Sequence, residues 1–140
     1  MELLTSNNVW MMICTALVFF MHLGFSFLEI GLTRQKNTIN ILFKNFFVIT
    51  MGLLVYCGFG FNIMYPGEFG IIDGILGFAG PGLDPGVDYD QLTYADGGYT
   101  YWTDFLFQGM FAATAATIIS GAVAERIKIS AFMLIAFLYV

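Results

Sequence analysis

The stretch 102–130, WTDFLFQGMFAATAATIISGAVAERIKIS, constrains the fold more than any other part of this chain. Its central part, residues 105–124, carries no charged side chain. Asp104 precedes it, and Glu125, Arg126 and Lys128 follow it. A run of about 20 apolar residues spans roughly 30 Å as a helix, which is the thickness of the hydrocarbon core of a bilayer. The stretch therefore predicts a transmembrane helix with aromatic residues at one interface and basic residues at the other.

Small residues recur at every fourth position of this helix and form two adjacent stripes. They are Gly109, Ala113, Thr117 and Gly121, and Ala112, Ala116, Ser120 and Ala124. In lipid, small residues allow helix backbones to approach closely, whereas apolar burial alone gives no net drive for association. We therefore expect this helix to lie between other helices.

Two phenylalanines of the same helix, Phe107 and Phe111, are four residues apart, and Gln108 lies beside them. This spacing puts both rings on one face near one end of the helix. The spacing alone favours ordinary packing or contact with lipid over a specific role.

The composition indicates an integral membrane protein, because 59% of the 140 residues are hydrophobic and only 11% are charged. Soluble domains carry about 25% charged residues. We predict an all-α membrane protein with three full transmembrane helices, at about 9–32, 46–64 and 105–124, and the start of a fourth at 129–140. Residues 129–140 are too few to span a bilayer, and a helix that ended in lipid would leave its last backbone carbonyls unsatisfied. We therefore expect the chain to be the N-terminal part of a larger membrane protein.

Residues 66–100 differ sharply in composition from the rest of the chain. They hold all three prolines and six acidic residues, and no basic residue. This predicts a long, polar, turn-rich outer loop. Its aspartates raise the possibility of a calcium site, but DPGVDYDQLTYAD does not match the spacing of an EF-hand loop. A solvated loop is the simpler interpretation.

The basic residues indicate the orientation of the helices. All five lie in two places, with Arg34, Lys36 and Lys44 before the second helix and Arg126 and Lys128 after the third. Three alternating helices bring both places to one side, and the positive-inside rule assigns that side to the cytoplasm. We therefore expect the N-terminus and the acidic loop outside.

Two ionisable residues of the first helix, His22 and Glu29, are unusual at membrane depth. Such groups are costly in lipid and usually face protein or a water-filled cavity. His22 could handle protons, but a neutral histidine bonded to a neighbouring helix is the simpler interpretation. For Glu29, a local ion pair with Arg34 or Lys36 or an interfacial carboxylate is expected.

Other classes of function receive no support from the sequence. There is no nucleophile–base pairing, phosphate-binding glycine loop or metal cluster, so we expect neither an enzyme nor a cofactor. Cys14 and Cys57 both lie in apolar segments, where an inert thiol is expected. Five dispersed basic residues cannot form a nucleic-acid-binding patch.

Several segments together resemble the ammonium transporter family, the Amt, Mep and Rh proteins. They are MMICTALVFFM, GLTRQKN and above all FQGMFAATAATIISGAVAERIKISA. The order and spacing resemble those of the family over most of the chain, and LEIGLTRQKN is closer to the Amt branch. The acidic, glycine-rich loop is the least similar part.

The resemblance implies homotrimers of subunits with about eleven helices in two inverted halves, in the plasma membrane or the inner membrane of a cell. It implies an outer vestibule that attracts ammonium, a phenylalanine gate and a hydrophobic pore with paired histidines. By this resemblance Phe111 is one gate phenylalanine, Phe107 is the aromatic residue one turn above it, and Gln108 lies beside them. It also implies a cytoplasmic nitrogen-regulatory protein as a partner in bacteria.

The family's paired histidines, vestibule tryptophan, buried aspartate and second gate phenylalanine belong to later helices and are not in this chain. His22 matches neither pore histidine. We therefore expect these 140 residues alone not to conduct, and a longer parent protein to transport ammonium. The alternatives are an ammonium-sensing membrane domain of a signalling protein and a short, degraded reading frame with no transport role.

Overall fold

The computed structural model describes residues 2–66, 70–72, 76–83, 94–124 and 126–140. It contains the helices α1 (Glu2–Leu32), α2 (Thr38–Val55), α3 (Phe61–Met64), α4 (Tyr101–Ala122) and α5 (Ile129–Tyr139). A 3-10 turn, Gln35–Asn37, joins α1 to α2, and a second, Tyr94–Gly97, precedes α4. The strands β1 (Gly70–Ile72) and β2 (Leu76–Gly77) pair antiparallel, with Gly70 opposite Gly77.

Among the residues that the structure describes, three helical segments are long and apolar enough to cross a membrane. They are Glu2–Leu32, Gln35–Met64 and Tyr101–Ala122, with mean hydropathies of 2.0, 1.9 and 1.4. The predicted helical membrane fold is therefore confirmed, with the small β1–β2 hairpin as an addition that the sequence did not suggest. The shorter apolar helix α5 begins at Ile129.

The helices begin earlier along the chain than the hydropathy pattern indicates. Helix α1 starts at Glu2 rather than near residue 9, and α4 starts at Tyr101 rather than at 105. Helix α2 starts at Thr38 rather than at 46, so that it includes Lys44. A charged residue can lie inside this helix because its ammonium group is paired with a carboxylate of α1.

Helix α4 packs against both α1 and α2. The residues just before α4 lie beside the second turn of α1, because the Thr100 amide donates to Asn8 Oδ1 at 3.0 Å and Asn7 Nδ2 donates to the Gly98 carbonyl at 3.0 Å. Helix α2 runs antiparallel to both, since Lys44 near its start bonds to Glu29 and Ser120 near their ends. The three long helices therefore alternate in direction along the chain.

The small residues of α4 lie where α2 approaches it most closely. A Cβ atom at Gly52 of α2 would lie 3.4 Å from Ala113 Cβ, and one at Gly109 would lie 3.2 Å from Leu53 Cδ2. Ala113 and Ala116 are fully buried. These contacts show the close backbone approach that the stripes predict.

Between α2 and α3 the helix widens into a single π-helical turn, Tyr56–Gly60. A Cβ atom at Gly60 would lie 2.6 Å from Tyr56 Cδ2, so only glycine fits beside this ring. The ring in turn stacks on Phe105 of α4, with centroids 5.9 Å apart. The widened turn thus brings a large aromatic side chain into the contact between α2 and α4.

The described part of the loop between α3 and α4 returns to the end of α3. Asn62 Nδ2 donates to the carbonyl oxygens of Gly80 and Gly82, and the Gly82 amide donates to the Gly58 carbonyl at 2.8 Å. Gly80 and Gly82 have φ angles of 108° and 84°, which favour glycine. Five of the loop's six acidic residues lie outside the described residues, as does most of the stretch considered for calcium; they are Glu68, Asp73, Asp84, Asp88 and Asp90.

Candidate functional site

Aromatic side chains gather at the end of the bundle where α4 begins. The Phe61 ring lies 5.0 Å from that of Tyr101 and 5.6 Å from that of Phe105, both edge to face. Edge-to-face contacts of this kind add about 0.5–1.5 kcal/mol each to the burial of the rings. This outer cluster holds the end of α3 and the start of α4 together.

The three residues singled out from the sequence lie just below this cluster. The rings of Phe107 and Phe111 contact each other edge to face, with centroids 4.9 Å apart and planes at 69°, rather than stacking in parallel. Phe111 is 44% exposed. Gln108 Nε2 donates to the Tyr65 hydroxyl at 3.2 Å. The structure therefore brings all three together beside Tyr65, with the Phe111 ring uncovered.

A carboxylate that the sequence analysis did not single out lies one turn above them. Asp104 is only 2% exposed, and its Oδ2 accepts a hydrogen bond from the Tyr94 hydroxyl at 2.7 Å. Positions 104, 107, 108 and 111 follow the i, i+3, i+4, i+7 spacing of one helix face. This spacing could have placed Asp104 beside the other three residues from the sequence alone. The contact with Tyr94 could not be predicted, because it depends on how the loop before α4 folds.

The tyrosines around Asp104 are held in their neutral form. Burial raises the pKa of Tyr94 well above its usual range, and the hydrogen bond to Asp104 and the charge of that carboxylate raise it further. Burial, followed by the charge of Asp104, also raises the pKa of Tyr65 and of Tyr99. Of these three hydroxyl groups, that of Tyr94 is hydrogen-bonded to Asp104.

In the middle of the bundle, His22 of α1 contacts two threonines of α4. Its Nδ1 lies 3.0 Å from Thr117 Oγ1, and its Nε2 lies 2.9 Å from Thr114 Oγ1. The ring is 2% exposed. These bonds agree with the simpler interpretation of His22 as a buried histidine bonded to a neighbouring helix.

At the opposite end of α4, four polar side chains form a buried cluster, the inner node, consisting of Glu29, Lys44, Asn45 and Ser120. Lys44 Nζ forms an ion pair with Glu29 Oε1. Asn45 Nδ2 and Ser120 Oγ donate to Glu29 Oε2 at 3.0 and 3.2 Å. The local pairing of Glu29 with Arg34 or Lys36 is therefore replaced by a long-range pairing with Lys44, because α2 folds back along α1.

The inner node also contacts α5, since Lys44 Nζ lies 5.1 Å from the ring centroid of Phe132. Phe132 is 1% exposed and packs with Val48 and Ala116. The node thus joins four helices. No sequence spacing indicates such a set, because its members come from three separate segments. Within the described residues, no group of three or more His, Cys, Asp or Glu side chains is placed to hold a metal ion.

Comparison with known proteins identifies relatives for nearly the whole chain. Residues 9–140 match the model of the Ammonium Transporter Family. A Synechocystis protein named "Putative ammonium transporter sll1017" is 42% identical over 128 residues, which are 91% of this chain and 27% of that protein. Ammonium transporter Amt2 of Haloferax mediterranei is 39% identical over 91% of this chain and 26% of its own length.

Ammonium transporter Amt2 of Archaeoglobus fulgidus is 40% identical over 125 residues, which are 89% of this chain and 24% of that protein. The chain thus spans about a quarter of the length of these relatives. The match includes α4 with its outer aromatic residues and the inner node. On the evidence of its helical membrane fold and of this match over residues 9–140, the chain belongs to the ammonium transporter family.

Proposed function

We propose that these residues form the outer part of an ammonium pathway in a longer transporter, with Phe107, Gln108 and Phe111 at its entrance. The observation that carries this proposal is the uncovered Phe111 ring. Gly109 and Ala113 on the opposite face of α4 contact α2, so Phe111 faces away from the helices described here. A further part of the protein can therefore complete a pathway against this face.

The chemistry of the three side chains suits ammonium. A bare cation cannot enter an apolar pore without a large desolvation cost. The face of an aromatic ring attracts a cation by about 0.5–2 kcal/mol, and the Gln108 side chain adds a polar group. Passage beyond the rings requires the proton to leave or to travel separately, which Na⁺ and K⁺ cannot imitate.

The proposed transporter needs more of the protein than these 140 residues. The relatives are about four times as long, so that most of a pore would be built by residues outside this chain. We infer that the 140 residues alone do not conduct. We further propose a homotrimer, and a cytoplasmic nitrogen-regulatory protein as a partner near the 3-10 turn Gln35–Asn37.

We propose that the protein lies in the plasma membrane or inner membrane of its cell, with the N-terminus outside. Four basic residues at one end of the bundle support this orientation: Arg34, Lys36, Arg126 and Lys128. Lys44 adds less support than the sequence implied, because it is buried in an ion pair. The acidic loop is then extracellular or periplasmic.

Growth on low ammonium in a transporter-deficient host tests the proposal. The full-length parent gene should restore growth, and the 140-residue chain should not. Phe111→Ala should reduce the discrimination of ammonium from K⁺ about three- to tenfold, because loss of the ring widens the apolar entrance and lowers the desolvation cost for K⁺. Phe46→Ala, which removes an exposed ring at the inner end of α2, is the matched control and should leave uptake unchanged.

Three outcomes would change this conclusion. A well-expressed parent that binds ammonium without restoring growth supports the sensing alternative. Rescue by the 140-residue chain contradicts the need for further helices. Unchanged selectivity in Phe111→Ala removes this ring from the pathway.

A further inference from the structure

Asp104 is a buried carboxylate at the outer end of the bundle that no basic side chain of this chain can reach. All five basic residues lie within 34–44 or 126–128. Those segments meet the far end of α4 at Ser120, which lies roughly 24 Å along the helix from Asp104 at 1.5 Å per residue. Its negative charge is therefore not cancelled by a neighbouring cation of the described helices.

Local groups stabilise this charge without neutralising it. Asp104 lies in the first turn of α4, where the partial positive charge of the helix N-terminus favours a carboxylate. Tyr94 donates one hydrogen bond to Oδ2. Both are dipoles and carry no formal charge that would offset a carboxylate, and charges act over longer distances in a site that excludes water than in water.

This charge is placed close to the proposed entrance. Gln108 and Phe107 lie one turn further along the same face of α4, and Gln108 bonds to Tyr65. After burial, the charge of Asp104 is the next cause that raises the pKa of Tyr65. Asp104 therefore lies one helical turn from Gln108, which with Tyr65 borders the phenylalanines.

We propose that Asp104 is the charge that concentrates ammonium at the Phe107–Phe111 entrance, an inference that rests on the proposed function. Asp104 does not touch the cation, since Tyr94 and the start of α4 cover it. It would act on ammonium through its electrostatic field and not by direct contact. A cleft lined by one sign of charge raises the local concentration of counterions by about 10- to 1,000-fold, and a single carboxylate is expected near the lower end of that range.

Uptake kinetics of the full-length protein, normalised to the amount of folded transporter in the membrane, test this inference. Asp104→Asn should raise the apparent KM for ammonium about tenfold, at the lower end of that range, and should change the maximal rate less than twofold. Asp104→Glu keeps the charge and should restore most of the affinity. Asp96→Asn removes a charge from an exposed loop residue and should leave KM unchanged.

Tyr94→Phe separates charge from packing. It removes the hydroxyl donor and keeps the carboxylate, so KM should remain within about twofold of the parent value, well inside the range expected for a field effect. A tenfold increase in KM for Tyr94→Phe would show that loop packing sets the affinity and would overturn the inference. The inference would also be overturned if Asp104→Asn lowered the amount of folded protein but left KM unchanged. If Asp104→Asn does not accumulate, Tyr94→Phe still tests the inference, because a tenfold increase in its KM would overturn it.

Failure of the inference and failure of the proposed function are distinguishable. If Asp104→Asn keeps the parent KM while Phe111→Ala loses selectivity, the pathway stands and the role of Asp104 is wrong. If the parent protein moves no ammonium at all, the proposed function fails first.

Discussion

The two buried carboxylates at opposite ends of this bundle differ in how their charge is held. Glu29 at the inner end is paired with Lys44 and accepts further bonds from Asn45 and Ser120. Asp104 at the outer end accepts a bond from the neutral Tyr94 hydroxyl. They are almost equally buried, at 5% and 2% exposure. Burial alone therefore does not distinguish a structural carboxylate from one with a possible role in binding.

The two arrangements have different electrostatic consequences. A paired charge in a low-dielectric site has little field beyond its partner, and removing one partner leaves the other uncompensated. A carboxylate bound only by dipoles keeps its field. The inner node thus links α1, α2, α4 and α5, whereas Asp104 lacks a cationic partner among the described residues, as its proposed role requires.

The largest effect should come from breaking the inner pair. Lys44→Met in the full-length protein leaves Glu29 buried without its cation and should lower the free energy of unfolding by about 3–5 kcal/mol. Thermal unfolding in detergent, followed by size-exclusion chromatography, measures this loss. Combining Lys44→Met with Glu29→Gln should recover part of it.

Lys36→Met is the matched control, because Lys36 is exposed and its replacement should change stability by less than about 0.5 kcal/mol. If Lys44→Met unfolds at the parent temperature, the inner node does not hold the helices together and the contrast between the two carboxylates is lost.

A smaller effect is expected at the outer carboxylate. Tyr94→Phe removes one donor from buried Asp104 and should cost about 1–3 kcal/mol of stability, less than the broken ion pair. Tyr99→Phe, on a neighbouring ring of the same loop, should cost less than Tyr94→Phe. Equal costs in the two variants would show that the bond to Asp104 contributes little.

The same tyrosine predicts a loss of stability at high pH. Its pKa in the folded state lies above the usual value of about 10, so the folded state keeps a proton that the unfolded chain releases. Stability should therefore be independent of this group below about pH 10 and fall as the pH rises above it. Tyr94→Phe should reduce that fall, which unfolding curves at several alkaline pH values would measure.

The smallest effect is expected midway between the two ends. Thr117→Val removes the hydroxyl group 3.0 Å from His22 Nδ1 and should cost about 0.6 kcal/mol, the average for a side-chain hydrogen bond between membrane helices. Thr50→Val, at an exposed position of α2, is the control. If Thr117→Val costs more than Lys44→Met, the main polar contact of the bundle lies at His22 instead of at the inner node.

The sequence predicted the membrane helices well because hydropathy is a local property of each segment. It missed the early start of α2, because an unpaired Lys44 would be expected outside the apolar helix. Only the structure shows that Glu29 pairs with it. The aromatic pair and Gln108 could be placed on one helix face from spacing alone. The exposure of their side chains could not be predicted from spacing, because it depends on which helices pack against α4.

The composition and order of residues thus determined an integral membrane protein with three spanning helices, the small-residue faces along which α4 packs, and the family to which the chain belongs. Only the tertiary structure decided that Glu29 pairs with Lys44 of α2 and that Tyr94 of the outer loop covers Asp104. The reason is physical: hydropathy and helix periodicity act within a segment, whereas the partner of a buried charge depends on which segments the fold brings together.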